Sequence, residues 1–192
     1  MASTKHTLVA LVEDKPGVLN QVASLFRRRG FNIESIAVGH TELPKISRMT
    51  IVVDEATTAV DQVAKQLYKV VEVVKVSDIT HDNIVARELA LIKVKATPTT
   101  RSEIIQIVDI FRADIVDVAP DSLVVQVTGD EDKIDSLYNL LRGFGIKELA
   151  RTGRIAMTRG TAGALVAARR PEKARHRRPP GPRKGEAEIS NV

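Results

Sequence analysis

The sequence predicts an α+β protein: two tandem ferredoxin-like βαββαβ units followed by a disordered basic tail. Three observations lead there. Apolar runs of strand length alternate with stripes of helical spacing in the order β-α-β-β-α-β over residues 5–80. The same order begins again over residues 85–160, as in two diverged copies of one unit. From residue 161 to 192 the text turns rich in Arg and Pro and loses apolar periodicity, so it buries too little surface to fold.

The first strand is the apolar run Thr7 to Val12, which ends in Glu13-Asp14-Lys15-Pro16-Gly17. Asp14 is a helix N-cap candidate and Pro16 suits a first helical turn, where its missing N–H costs nothing. Leu19, Val22, Ala23 and Phe26 fall at i, i+3, i+4 and i+7 and form the expected buried stripe of the first helix. Arg27 to Arg29 occupy its last turn, where cations complement the helix dipole. Gly30 ends it as a left-handed cap, with Phe31 positioned for the accompanying apolar contact.

Two strands follow, Asn32 to Gly39 and Ser47 to Asp54, as a hairpin around Pro44. Val60, Val63, Ala64, Leu67, Tyr68 and Val71 predict the second helix, and Glu72 to Ser77 the fourth strand. In the second copy the strand Leu89 to Val94 precedes a helix carrying Ile104, Ile107, Val108 and Phe111, with Thr100 and Glu103 as an expected capping box. Ile115 to Val118 and Leu123 to Val127 predict a hairpin across Pro120-Asp121. Ile134, Leu137, Tyr138 and Leu141 give a last helix, ended by Gly143, before a strand near Ile146 to Leu149.

Composition excludes several classes. There is no cysteine, hence no disulfide framework and no thiolate nucleophile, and the four histidines are scattered without the close pair a metal site needs. No nucleophile with its base, paired-carboxylate site or phosphate loop stands out, so no catalytic residues are expected. Aromatic residues are 3%, too few for the base-stacking sheets of RNA-recognition modules. No apolar run has membrane-spanning length and the first residues lack a secretory leader, which makes the cytoplasm the expected location. Of 29 Lys and Arg, 8 lie in residues 160–192, whereas only 3 of 24 Asp and Glu do. The net charge of +5 therefore belongs to the tail, and the folded part is balanced.

The turn at Asp14–Val18 admits two readings. It is either a structural turn, or a cradle in which backbone N–H groups at Gly17 and Val18 take a carboxylate while Asp14 and Asn32 take an ammonium. The second copy has Ala96-Thr97-Pro98-Thr99-Thr100 there and no glycine, so a ligand belongs to the first. The first strand is apolar on both faces, although both helices of a βαββαβ unit cover one face only. Another subunit or the second copy is expected on the other face, and a homodimer is the simplest arrangement.

The segments VEDKPGVL, LFRRRGFNIESIAVG, SRMTIVV and QLYKVVEVVKV closely resemble an ACT domain, and with RELALIKVKA and FRADIVDVAPDSLVVQVTG they resemble the small regulatory subunits of acetolactate synthase over residues 5–160. The resemblance implies an N-terminal ACT domain for effector binding and dimerisation over 5–80, and an ACT-like C-terminal domain over 85–160. It implies a non-catalytic subunit that binds and activates a large catalytic subunit and makes it sensitive to valine, an end product of branched-chain amino acid synthesis, or to leucine or isoleucine. Thiamine diphosphate, Mg²⁺ and FAD are expected on that large subunit and none on this chain. The family's effector site, between two ACT units of a dimer, maps onto Asp14, Gly17, Val18, Asn32 and Ile33. A stand-alone amino-acid-sensing ACT dimer that regulates another enzyme is the alternative.

Overall fold

The computed structural model describes residues 5–54 and 60–160, and the expected tail lies outside them. The first unit runs β1 (Lys5–Glu13), α1 (Val18–Arg29), β2 (Ile33–His40), β3 (Ile46–Asp54), α2 (Val60–Leu67) and β4 (Val73–Asp78). The second runs β5 (Ile84–Lys95), α3 (Arg101–Ile110), β6 (Asp114–Ala119), β7 (Ser122–Gly129), α4 (Glu131–Leu141), β8 (Ile146–Arg151) and β9 (Ile155–Thr158). The sheets have equivalent orders, β2-β3-β1-β4 and β6-β7-β5-β8, all antiparallel, so the βαββαβ reading holds for both units.

Each unit has its own core between sheet and helices. Leu8, Ala10 and Val12 of β1 pack with Val22, Phe26, Val63 and Leu67; Ala90, Ile92 and Val94 of β5 pack with Ile104, Val108, Ile134 and Leu137. The hairpin closes across Pro120-Asp121, with Ala119 opposite Ser122. Gly30 has φ +68° and its N–H donates to the Arg27 carbonyl, while the Phe31 and Phe26 rings meet edge to face at 5.9 Å. That cap is the one its sequence predicts.

Several local expectations are corrected. The first helix begins at Val18 with Gly17 as N-cap, so Asp14 caps nothing and Pro16 precedes the helix. Its buried side chains are Val18, Val22, Leu25 and Phe26, whereas Leu19 is 48% exposed and Ala23 is exposed. The cleft between the helices is lined from α1 by Asn20, Gln21, Ser24, Leu25, Arg28 and Arg29, which turns Leu19 and Ala23 to the flank away from α2. Helix α2 stops at Leu67; Tyr68 lies beyond it, its hydroxyl bonded to both the N–H and the carbonyl of Val76. The Thr100 hydroxyl bonds the Thr97 turn, and its side chain makes no capping bond to α3. The last helix passes into a 3₁₀ turn, Arg142–Phe144, and the positive-φ glycine that ends it is Gly145, not Gly143.

Strand β9 was not expected. It pairs with the first four residues of β5, and this two-stranded ribbon lies over the open face of the first sheet. There Val9, Ile79 and Ala156 are buried together, with Ile84 and Ala86 packed against them. The second face of β1 is therefore covered by the chain's own second unit. Polar contacts follow the same seam: Arg48 Nη2 donates to the Ala156 carbonyl, and the Arg154 N–H donates to Ser35 Oγ at 2.9 Å. Among the described residues no helix is long and apolar enough to cross a membrane.

Candidate effector site

The turn between β1 and α1 is held by backbone bonds. Asp14 N–H donates to the Lys45 carbonyl at 2.8 Å, and Glu13 N–H to that of Glu72 at 2.8 Å. Gly17 then takes φ +87°, a conformation that costs any residue with a Cβ about 1 kcal/mol. The first regular helical bond runs from Gln21 N–H to the Gly17 carbonyl at 3.0 Å, so the amides of Leu19 and Asn20 precede the ladder. No side chain caps this end and its first turn holds no acidic residue. Among the described residues, no side chain caps the donors and partial positive charge at this helix terminus. A Cβ on Gly17 would meet nothing within 4 Å, which leaves room for an anion against the backbone.

Val18 is buried, so only its backbone faces the turn, and its N–H reaches the Lys15 carbonyl at a long 3.4 Å. Asp14 is exposed, and its carboxylate lies 3.4 Å from Nδ1 of His40 at the end of β2. His40 was not foreseen. The signal that finds it is hairpin register: the end of β2 must return beside the start of β3, whose Ile46 is the partner of Glu13.

Asn32 and Ile33 are elsewhere. Ile33 is opposite Val53, whereas His40 is opposite Ser47. Those β3 positions are six residues apart, about 20 Å along the strand. Within one chain Asp14, Gly17 and Val18 cluster at one end of the sheet, while Asn32 and Ile33 sit at the other.

Comparison with known proteins places the chain. Residues 8–75 match the model for the AHAS small subunit-like ACT domain, and residues 87–160 match that for the small subunit of acetolactate synthase. A protein from Archaeoglobus fulgidus described as a probable acetolactate synthase small subunit is 59% identical over 156 residues, which span 81% of this chain and 98% of that one. The chain belongs to the acetolactate synthase small-subunit family. The Bacillus subtilis acetolactate synthase small subunit is 53% identical over 158 residues, 82% of this chain and 92% of the relative. The crystal structure of the small subunit from Thermotoga maritima superposes with a TM-score of 0.75 at 45% identity, covering 81% of this chain and 98% of that one.

Proposed function

We propose that this chain is the regulatory subunit of an acetolactate synthase: it binds the large catalytic subunit, raises its activity, and lets valine reverse that activation. Thiamine diphosphate, Mg²⁺ and FAD are assigned to the catalytic partner, so this chain contributes affinity and conformational bias and no bond chemistry. Family membership supports the subunit role. The separation of the site residues supports the mechanism.

Strand β2 is an edge strand with one neighbour among the described residues, and Val38 on it is 47% exposed. Antiparallel pairing of two β2 edges about a twofold axis near Ile36 and Ala37 sets Ile33 of each copy opposite His40 of the other. Asn32 and Ile33 of one chain then meet Asp14, Gly17 and Val18 of its mate. The same pairing would cover the flank of α1 that bears Leu19 and Ala23, whose apolar spacing predicts burial. Valine would lie between the copies, its carboxylate at the α1 terminus and its ammonium near Asp14 and Asn32. A ligand that favours one arrangement of the dimer biases the catalytic subunit by linkage.

The test is acetolactate formation by the cognate catalytic subunit alone, with this protein, and with this protein plus valine. Activation that valine reverses is expected. Activity unchanged by the protein, with a catalytic subunit that is itself competent, would contradict the reading.

A further inference from the structure

Beside the seam between the units, at the end of the first sheet's open face, lies a cavity of about 240 Å³. That is below the range of about 300–1,000 Å³ usual for drug-sized ligands and suits one small molecule. Leu11, Leu43 and Met157 form its apolar wall, Glu42 and Arg48 its charged rim, and His40 and Thr41 complete the lining. Register explains the opening: Arg48 is flanked by Leu11 on β1 and Gly39 on β2, and a Cβ on Gly39 would meet nothing within 4 Å.

Arg48 is half-buried, and its one partner among the described residues is neutral, the Ala156 carbonyl at 2.5 Å from Nη2. Burial holds its pKa below the ordinary arginine value, against a smaller opposing pull from the Glu42 carboxylate. No carboxylate among the described residues is ion-paired with it. A half-buried cation that no carboxylate touches is costly, and an anion in the cavity lowers that cost. Glu42 lines the same space, and its carboxylate makes no ion pair with Arg48 among the described residues.

We propose that this cavity binds one aliphatic α-amino acid per chain, with its carboxylate on Arg48, its ammonium on Glu42 and its side chain against Leu11, Leu43 and Met157. Every residue of this site comes from one chain, unlike the composite site, although His40 in its lining also faces Asp14. Because Met157 and the Ala156 carbonyl come from β9, its occupant touches both units at their seam.

The experiment is equilibrium dialysis of valine against the full-length protein and three variants. Gly17→Asp removes the composite site and leaves this one, so one valine per chain should still bind. Adding Arg48→Gln, which keeps a donor for the Ala156 carbonyl, or Glu42→Gln, on the exposed hairpin, should weaken that binding about 10-fold or more. Glu42→Gln should leave 3-methylbutanoate, which lacks the ammonium, bound as before. Loss of all valine binding in Gly17→Asp overturns the proposal, as does unchanged affinity when either second substitution is added. Failure of the composite site would show differently, as valine inhibition persisting in Gly17→Asp holoenzyme.

Discussion

Lys5 on the first strand of the first unit donates from Nζ to Oε1 of Glu131 at the start of the second unit's last helix, at 2.5 Å. Glu131 also lies 3.3 Å from Arg154, whose guanidinium reaches Thr7 Oγ1, so one carboxylate ties strand β1 to the segment leading into β9. The hydrogen bond from Lys5 holds the Glu131 carboxyl below its ordinary pKa, opposed by burial and aided by the Lys5, Arg154 and Arg151 charges.

A depressed folded-state pKa means that this contribution is present above the unfolded glutamate pKa and is lost as pH falls through the folded one. The Lys5 pKa is raised by the same bond, so its share is present below the unfolded lysine pKa and is lost as pH rises through the folded value. Glu131→Gln should lower stability by about 1 kcal/mol or less at neutral pH, because solvent screens this partly exposed pair. The deficit should shrink in acid, below the ordinary glutamate range, where the wild-type residue is itself protonated. Urea titrations at neutral and acid pH measure it; a deficit that does not change with pH would contradict the pairing.

Ala156→Asp addresses the apolar part of the seam. It would bury a carboxylate among Val9, Ile79, Ile84 and Ala86, at a cost of about 3 kcal/mol or more, which the chain avoids by releasing the β5–β9 ribbon. Wild-type protein should unfold in one calorimetric transition and the variant in two, as the units separate. A single transition at the wild-type temperature would mean that the ribbon does not couple them.

How far the sequence could be read depended on how local each signal is. Gly30 with Phe26 and Phe31 was legible because a cap and its apolar contact involve adjacent turns of chain. Asp14 and the Thr100–Glu103 pair were misread as caps, because other turn geometries offer the same side chains the same hydrogen bonds: Thr100 is bound to Thr97, and Asp14 faces His40. Strand β9 was not legible. It is four residues long, and its partner in β5 lies about 70 residues upstream, so neither length nor alternation marks it. The two-faced burial of β1 was read correctly, and of the two covers considered the second copy of the unit is the one seen. The stripe at Leu19 and Ala23 is the informative mismatch: two apolar positions in register with a buried face, yet exposed in one chain.

That mismatch leads to an expectation about assembly. Val38→Lys places a charge on the exposed β2 edge without entering either core, so the monomer should fold with little change in stability. Sedimentation should show about half the wild-type mass. A wild-type mass for both Val38→Lys and Leu19→Glu would exclude this edge as the dimer contact.

The most direct test of the account mixes two defective chains. Gly17→Asp blocks the turn and Asn32→Lys blocks the start of β2, so holoenzyme carrying either one alone should be activated yet insensitive to valine. Unfolded together and refolded as mixed dimers, the two variants create one site in which Gly17 from one chain meets Asn32 from the other, both intact. Partial return of valine inhibition in the mixture is the expected result. Continued insensitivity of mixed dimers shown to have formed would contradict an effector site built from two chains.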